Sequence, residues 1–88
     1  MRLRAPVRDE LARRGIEPTA NDTLASLRER LNDAYLEDVR RLKQRQRAGE
    51  IPRREYAGHA QALKQSYPLL GVPLELWEDG PVEAEVRR

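Results

Sequence analysis

Cysteine is absent from this chain of 88 residues, and histidine occurs once, at His59. No disulfide staple, thiolate zinc site or multi-histidine metal centre can therefore be assembled within one copy. A long apolar run is missing too. Met1-Arg2-Leu3-Arg4-Ala5-Pro6 starts basic, but nothing hydrophobic follows, so it reads as neither a secretory signal nor a membrane anchor. A cytoplasmic protein without a membrane partner is expected. Phosphate cradles, nucleophile elbows and zinc-ligand spacings do not occur. The carboxylate pairs Asp9 with Glu10, Asp33 with Glu37 and Glu37 with Asp38 are neighbours along the sequence without a metal-ligand pattern around them. His59, between Gly58 and Ala60, has no identifiable orienting partner or substrate pocket. The expectation is a protein that is not an enzyme, carries no cofactor and has no evident small-molecule substrate.

What the chain has is charge. Charged residues make up 36% of it, with a net charge of only +2. Their distribution is uneven. From Arg40 to Arg54 the bases are Arg40, Arg41, Lys43, Arg45, Arg47, Arg53 and Arg54, opposed by Glu50 alone, whereas Glu75 to Glu85 contains acids and no base. Such polarity invites an anionic partner at the basic end, and equally allows the acidic tail to pair with that end in the same or another chain. Arginine outnumbers lysine, 15 to 2 within the 17 bases. That favours bidentate contacts with phosphate or carboxylate, although a GC-rich genome or a thermophilic source gives the same bias.

Apolar spacing predicts an all-α fold. A first helix of about residues 6–14 starts at Pro6, suited to an initial helical turn, and stops at Gly15, with Val7 and Leu11 on its inner side. Glu17 to Asp22 is a loop, and Thr23 is the preferred cap of the next helix. Leu24, Leu27, Leu31, Tyr35, Val39 and Leu42 recur at steps of three and four, predicting a helix over 23–47. At the standard rise it is about 36 Å long. On its polar face Glu37 with Arg41 is a favourable four-residue pair and Asp33 with Glu37 a repulsive one. Gly49 suits the left-handed residue that closes a helix, Ile51 falls where an apolar group folds back, and Pro52 forbids continuation. Tyr56, Ala60, Leu63 and Tyr67 predict a third helix over 53–67, antiparallel to the second. The tyrosines on these stripes read as core rather than base-stacking platforms. Residues 68–77 read as an extended strap anchored by Trp77, with a short helical turn from Pro73 to Trp77 as an alternative, completing one domain over 1–77, and 78–88 as a mobile acidic tail.

Two stretches resemble known families. Leu11, then Arg14-Gly15-Ile16, then Leu27-Arg28-Glu29-Arg30-Leu31, within Val7 to Leu31, resemble the SAP motif, a helix-loop-helix unit associated with DNA binding. Here the loop is two residues longer, and Ala20-Asn21-Asp22 stand where that family has glycine and lysine. Leu42-Lys43, Ala48 to Tyr56 and Leu63-Lys64 resemble the SHOCT type of short helical hairpin, with Pro52 at the capping position. This second likeness implies an accessory or oligomerisation module.

Two functional expectations follow. A chain of this size buries only roughly 60 to 65% of its extended surface, so a long striped helix suggests a second copy or another protein partner, with Leu70, Leu74, Leu76 and Trp77 as the interface. The alternative is a nucleic-acid-binding accessory protein that uses the SAP-like unit and Arg40, Arg41, Lys43, Arg47, Arg53 and Arg54 at the bend.

Overall fold

The computed structural model describes residues 2–79 and has three helices: α1 (Ala5–Arg13), α2 (Leu24–Arg47) and α3 (Tyr56–Gln65). The fold is all-α, and among the described residues strand pairing is limited to one isolated bridge between Leu3 and Glu78.

Local chemistry sets each boundary. Thr23 caps α2 reciprocally: its Oγ1 accepts from the Ser26 amide at 3.0 Å, and the Thr23 amide donates to Ser26 Oγ at 2.9 Å. Just before the cap, Asp22 accepts from Ser26 Oγ (2.8 Å), the Thr19 amide (2.9 Å) and Arg30 (2.9 Å). The Ser26 hydroxyl foremost, then the Thr19 amide, hold this carboxyl below its ordinary pKa.

Helices α1 and α2 end in the same way. Gly15 has φ +75° and Gly49 φ +86°. In α1 the Gly15 and Ile16 amides donate back to the Ala12 and Leu11 carbonyls. In α2 the Gly49 and Glu50 amides donate to the Gln46 and Arg45 carbonyls. Both are Schellman closures, and each delivers a buried isoleucine just beyond it, Ile16 and Ile51. A Cβ on Gly49 would meet nothing within 4 Å, so substitution is penalised by the backbone alone. Gly49→Ala should cost about 1 kcal/mol in urea unfolding; an unchanged midpoint would remove the left-handed closure as the cause of the reversal.

Three expectations need correcting. The predicted third helix over 53–67 is a 3-10 turn, Arg53–Glu55, followed by α3, which ends at Gln65. Tyr67 leaves helical geometry (φ −120°, ψ 61°) because Pro68 disfavours α conformation in the residue before it. The strap is not extended but two 3-10 turns, Pro68–Gly71 and Leu74–Leu76, each following or opening on a proline, and the second lies within the alternative turn at Pro73 to Trp77. Finally, the predicted tail at 78–88 begins inside the structure. The Asp79 amide donates to the Arg2 carbonyl (2.8 Å) and the Arg4 amide to the Trp77 carbonyl (3.0 Å), stitching the two ends together. The rest of the tail lies outside the described residues.

Val7 and Leu11 of α1, Ile16, Leu27 and Leu31 of α2, Tyr67, Leu69 and Trp77 form one buried cluster. This core occupies only the first half of α2. Beyond it α2 and α3 continue as a two-helix arm, where Leu42 and Ile51 are the buried residues. The molecule measures 57 × 28 × 17 Å, with a radius of gyration of 16.5 Å; about 12 Å is usual for a compact chain of this length. It is a packed head bearing a helical arm.

Candidate functional site

The end of the arm is the bend between α2 and α3, and the structure divides its bases into two sets. Arg40 pairs with Glu37 at 2.6 Å and Arg41 with Asp38 at 2.9 Å, both along the shaft of α2. The Glu37–Arg41 pair expected from spacing is thus replaced by two pairs three residues apart. Arg45 pairs with Glu50 at 3.2 Å across the helix end. Lys43, Arg47, Arg53 and Arg54 are exposed and, among the described residues, form no ion pair. Arg47 ends α2, while Arg53 and Arg54 open the turn that leads into α3, so these three flank the bend directly.

Arg45 and Arg47 sit in the last turn of α2, where cations complement the helix dipole, but Arg53 and Arg54 are at the opposite pole, opening the α3 arm, where they do not. Their positive charge there is offset only by Glu55. Exposed like charges on either side of one bend make the local potential positive. His59 is exposed on α3 between Arg54 and Arg45, which also line the hollows that it borders.

The residues expected to form an apolar interface have a different place. Trp77 is 0% exposed at the centre of the head, and its indole N–H donates to the Val72 carbonyl at 3.1 Å. It cannot anchor a second chain without leaving its own core. Leu70 and Leu74 are half-buried against that core, and Leu76 is 49% exposed. With Leu36, at 41%, it completes the large hydrophobic side chains exposed among the described residues. Covering by α3 and by the two C-terminal turns accounts for the stripe on α2.

Spacing along the chain did not reveal the contacts of Tyr67. Its hydroxyl donates to Asp38 Oδ2 at 2.5 Å, its ring meets Tyr35 edge-on at 5.3 Å, and the Arg14 guanidinium stacks 3.8 Å from its centre. Arg14 also donates to the Ser66 carbonyl, tying the end of α1 to the end of α3. Burial first, and the bond to Asp38 second, push the Tyr67 phenol up to about 12. Among the described residues no group of three or more His, Cys, Asp or Glu side chains is placed to hold a metal, and no helix is long and apolar enough to cross a membrane.

No family model, curated protein or solved structure matches the chain.

Proposed function

We propose that the protein is a non-enzymatic interaction module that holds out a basic helical tip to a polyanionic partner, with nucleic acid backbone the best chemical match. The carrying observation is the exposed, ion-pair-free set Lys43, Arg47, Arg53 and Arg54 at the far end of an arm whose opposite end is a packed head. Phosphate contacts by such side chains release counterions, so affinity falls with salt at a log-log slope of about −0.9 per contact on duplex. Arginine supplies planar two-pronged donors suited to phosphate oxygens. The SAP-like and SHOCT-like likenesses agree with a binding or accessory role. Asp22 of the SAP-like loop is taken up by Thr19, Ser26 and Arg30, so the tip, not that loop, is assigned the phosphate contacts.

Retardation of duplex DNA and of structured RNA, measured against ionic strength, tests this reading. Four contacts predict a slope of about −3.6 on duplex, and Arg47→Gln, Arg53→Gln and Arg54→Gln together should reduce it by about 3. Arg40→Gln, which removes a base already paired with Glu37, should leave the slope nearly unchanged. Absence of salt-dependent retardation at low ionic strength would eliminate the reading. Self-association, the other role expected from the sequence, is left with Leu36 and Leu76 as exposed large apolar groups among the described residues. Sedimentation across a range of protein concentrations separates the two.

A further inference from the structure

Away from the tip, the head contains a cleft of about 380 Å³ between α2, the end of α3 and the turn that follows it. Small-molecule sites start at about 300 Å³ and combine apolar walls with a few converging polar groups. Here Tyr35, Tyr67 and Leu70 contribute apolar wall, and Arg28, Asn32 and Lys64 the polar groups. Both charged side chains on the cleft are cations, and no carboxylate lines it. Neither Arg28 nor Lys64 forms an ion pair among the described residues.

The walls are already held. Arg28 Nη2 donates to the Leu70 carbonyl at 2.9 Å, which fixes the guanidinium on the cleft and leaves most of its five N–H groups for another acceptor. Tyr67 is 4% exposed and fastened on three sides, by Asp38 at its hydroxyl, Tyr35 at its edge and Arg14 on its face. It is therefore unable to swing across and fill the cleft. An inorganic anion would leave the apolar walls unused, and a neutral aromatic compound would leave two cations unanswered.

The geometry points to a binding site for a small organic anion with a flat apolar body, of which an aromatic carboxylate is the simplest form. The ring lies against Tyr35 and Leu70, and the carboxylate accepts from Arg28 and Lys64. Asn32 supplies a further donor or acceptor that would select among substituents. The cleft is independent of the basic tip: from Tyr35 to Lys43 is about 12 Å along α2 at the standard rise, so either site can fail without the other.

Isotope-labelled protein of this sequence, titrated with naphthoate, with naphthalenemethanol and with inorganic phosphate and followed by amide chemical shifts, tests the site. Naphthoate should shift amides of 28–35 and 64–71 and saturate. The neutral alcohol and phosphate should each bind at least about tenfold more weakly, and Lys64→Glu should weaken naphthoate by about tenfold or more. Lys64 is exposed and its substitution leaves the core untouched, so an otherwise unchanged spectrum confirms that the variant is folded. The inference is overturned if carboxylate and alcohol bind equally, if Lys64→Glu has no effect, or if the shifts gather on residues 43–54, which would mean adventitious anion binding at the tip.

Discussion

Trp77→Ala should lower the unfolding free energy by about 3–5 kcal/mol, the range for truncating a fully enclosed large aromatic residue. The side chain is completely buried in the cluster that joins α1, the first half of α2 and the C-terminal turns. Its removal deletes contacts to all of these and leaves the Val72 carbonyl without its indole donor. A domain of this length has a total stability of roughly 4–13 kcal/mol, so the variant should be largely unfolded at moderate urea and lose much of its α-helical circular dichroism on mild heating. The effect should not depend on protein concentration, because the tryptophan packs within one chain. Leu76→Ala, one residue away but half exposed, should change stability by no more than about 0.5 kcal/mol. A Trp77→Ala midpoint equal to that of the parent protein would show that the C-terminal turns do not form part of the core.

The contrast between these neighbouring residues explains what could be read ahead of the structure. Helical period, Thr23, Gly15 and Gly49 act through local backbone chemistry, which is written in consecutive residues, and α1, α2 and the reversal lie within one residue of where that chemistry puts them. Burial of the C-terminal segment is decided by long-range fit. A run such as Leu74-Glu75-Leu76-Trp77 has the same apolar content whether it closes its own head or reaches another chain. Its 3-10 form comes from proline geometry, which left an extended strap and a short turn after Pro73 as alternatives and gave no sign of the turn at Pro68–Gly71. The basic bend was legible as a count of charges. Which of those charges are spoken for was not, because ion pairs three residues apart, Arg40 with Glu37 and Arg41 with Asp38, competed with the four-residue spacing that isolated helices favour. Residues that share the head cleft lie as far apart as Arg28 and Gly71, so no local pattern could announce it.

On the proposed reading, the head supplies stability and the arm recognition. Buried apolar groups concentrate where α1 and the C-terminal turns cover α2, while Lys43, Arg47, Arg53 and Arg54, without ion pairs among the described residues, stand where α2 and α3 have only each other. Charge crowding at the tip thus acts on the thinnest packing in the molecule. Leu42 and Ile51 hold that end, with the Arg45–Glu50 pair at 3.2 Å across it. Being exposed on both sides, that pair is worth at most about 1 kcal/mol. A polyanion at the tip would relieve like-charge repulsion among Arg47, Arg53 and Arg54, so binding there also stabilises the arm by mass action.

Raising the pH above 10 should destabilise the protein through Tyr67. An unfolded tyrosine releases its proton near pH 10, whereas in the native state burial and the bond to Asp38 hold the phenol at about 12, against the opposing pull of Arg14. The folded state therefore retains a proton that the unfolded state gives up. Stability from this group is fully present below about pH 10 and declines as the pH rises from about 10 to 12, by roughly 2–3 kcal/mol across that window. Urea midpoints measured at intervals over this range should fall steadily. Tyr67→Phe should cost about 1–2 kcal/mol at neutral pH through loss of the bond to Asp38, and its alkaline decline should be shallower than that of the parent, since the remaining lysines and tyrosines contribute to both proteins alike. Asp38→Asn should bring phenolate formation at Tyr67 to lower pH by removing the adjacent negative charge, which a spectrophotometric titration reads directly. Parallel pH profiles for the parent protein and Tyr67→Phe would mean that neither burial nor the bond to Asp38 raises the phenol in solution, and the linkage between the end of α3 and the middle of α2 would lose its support.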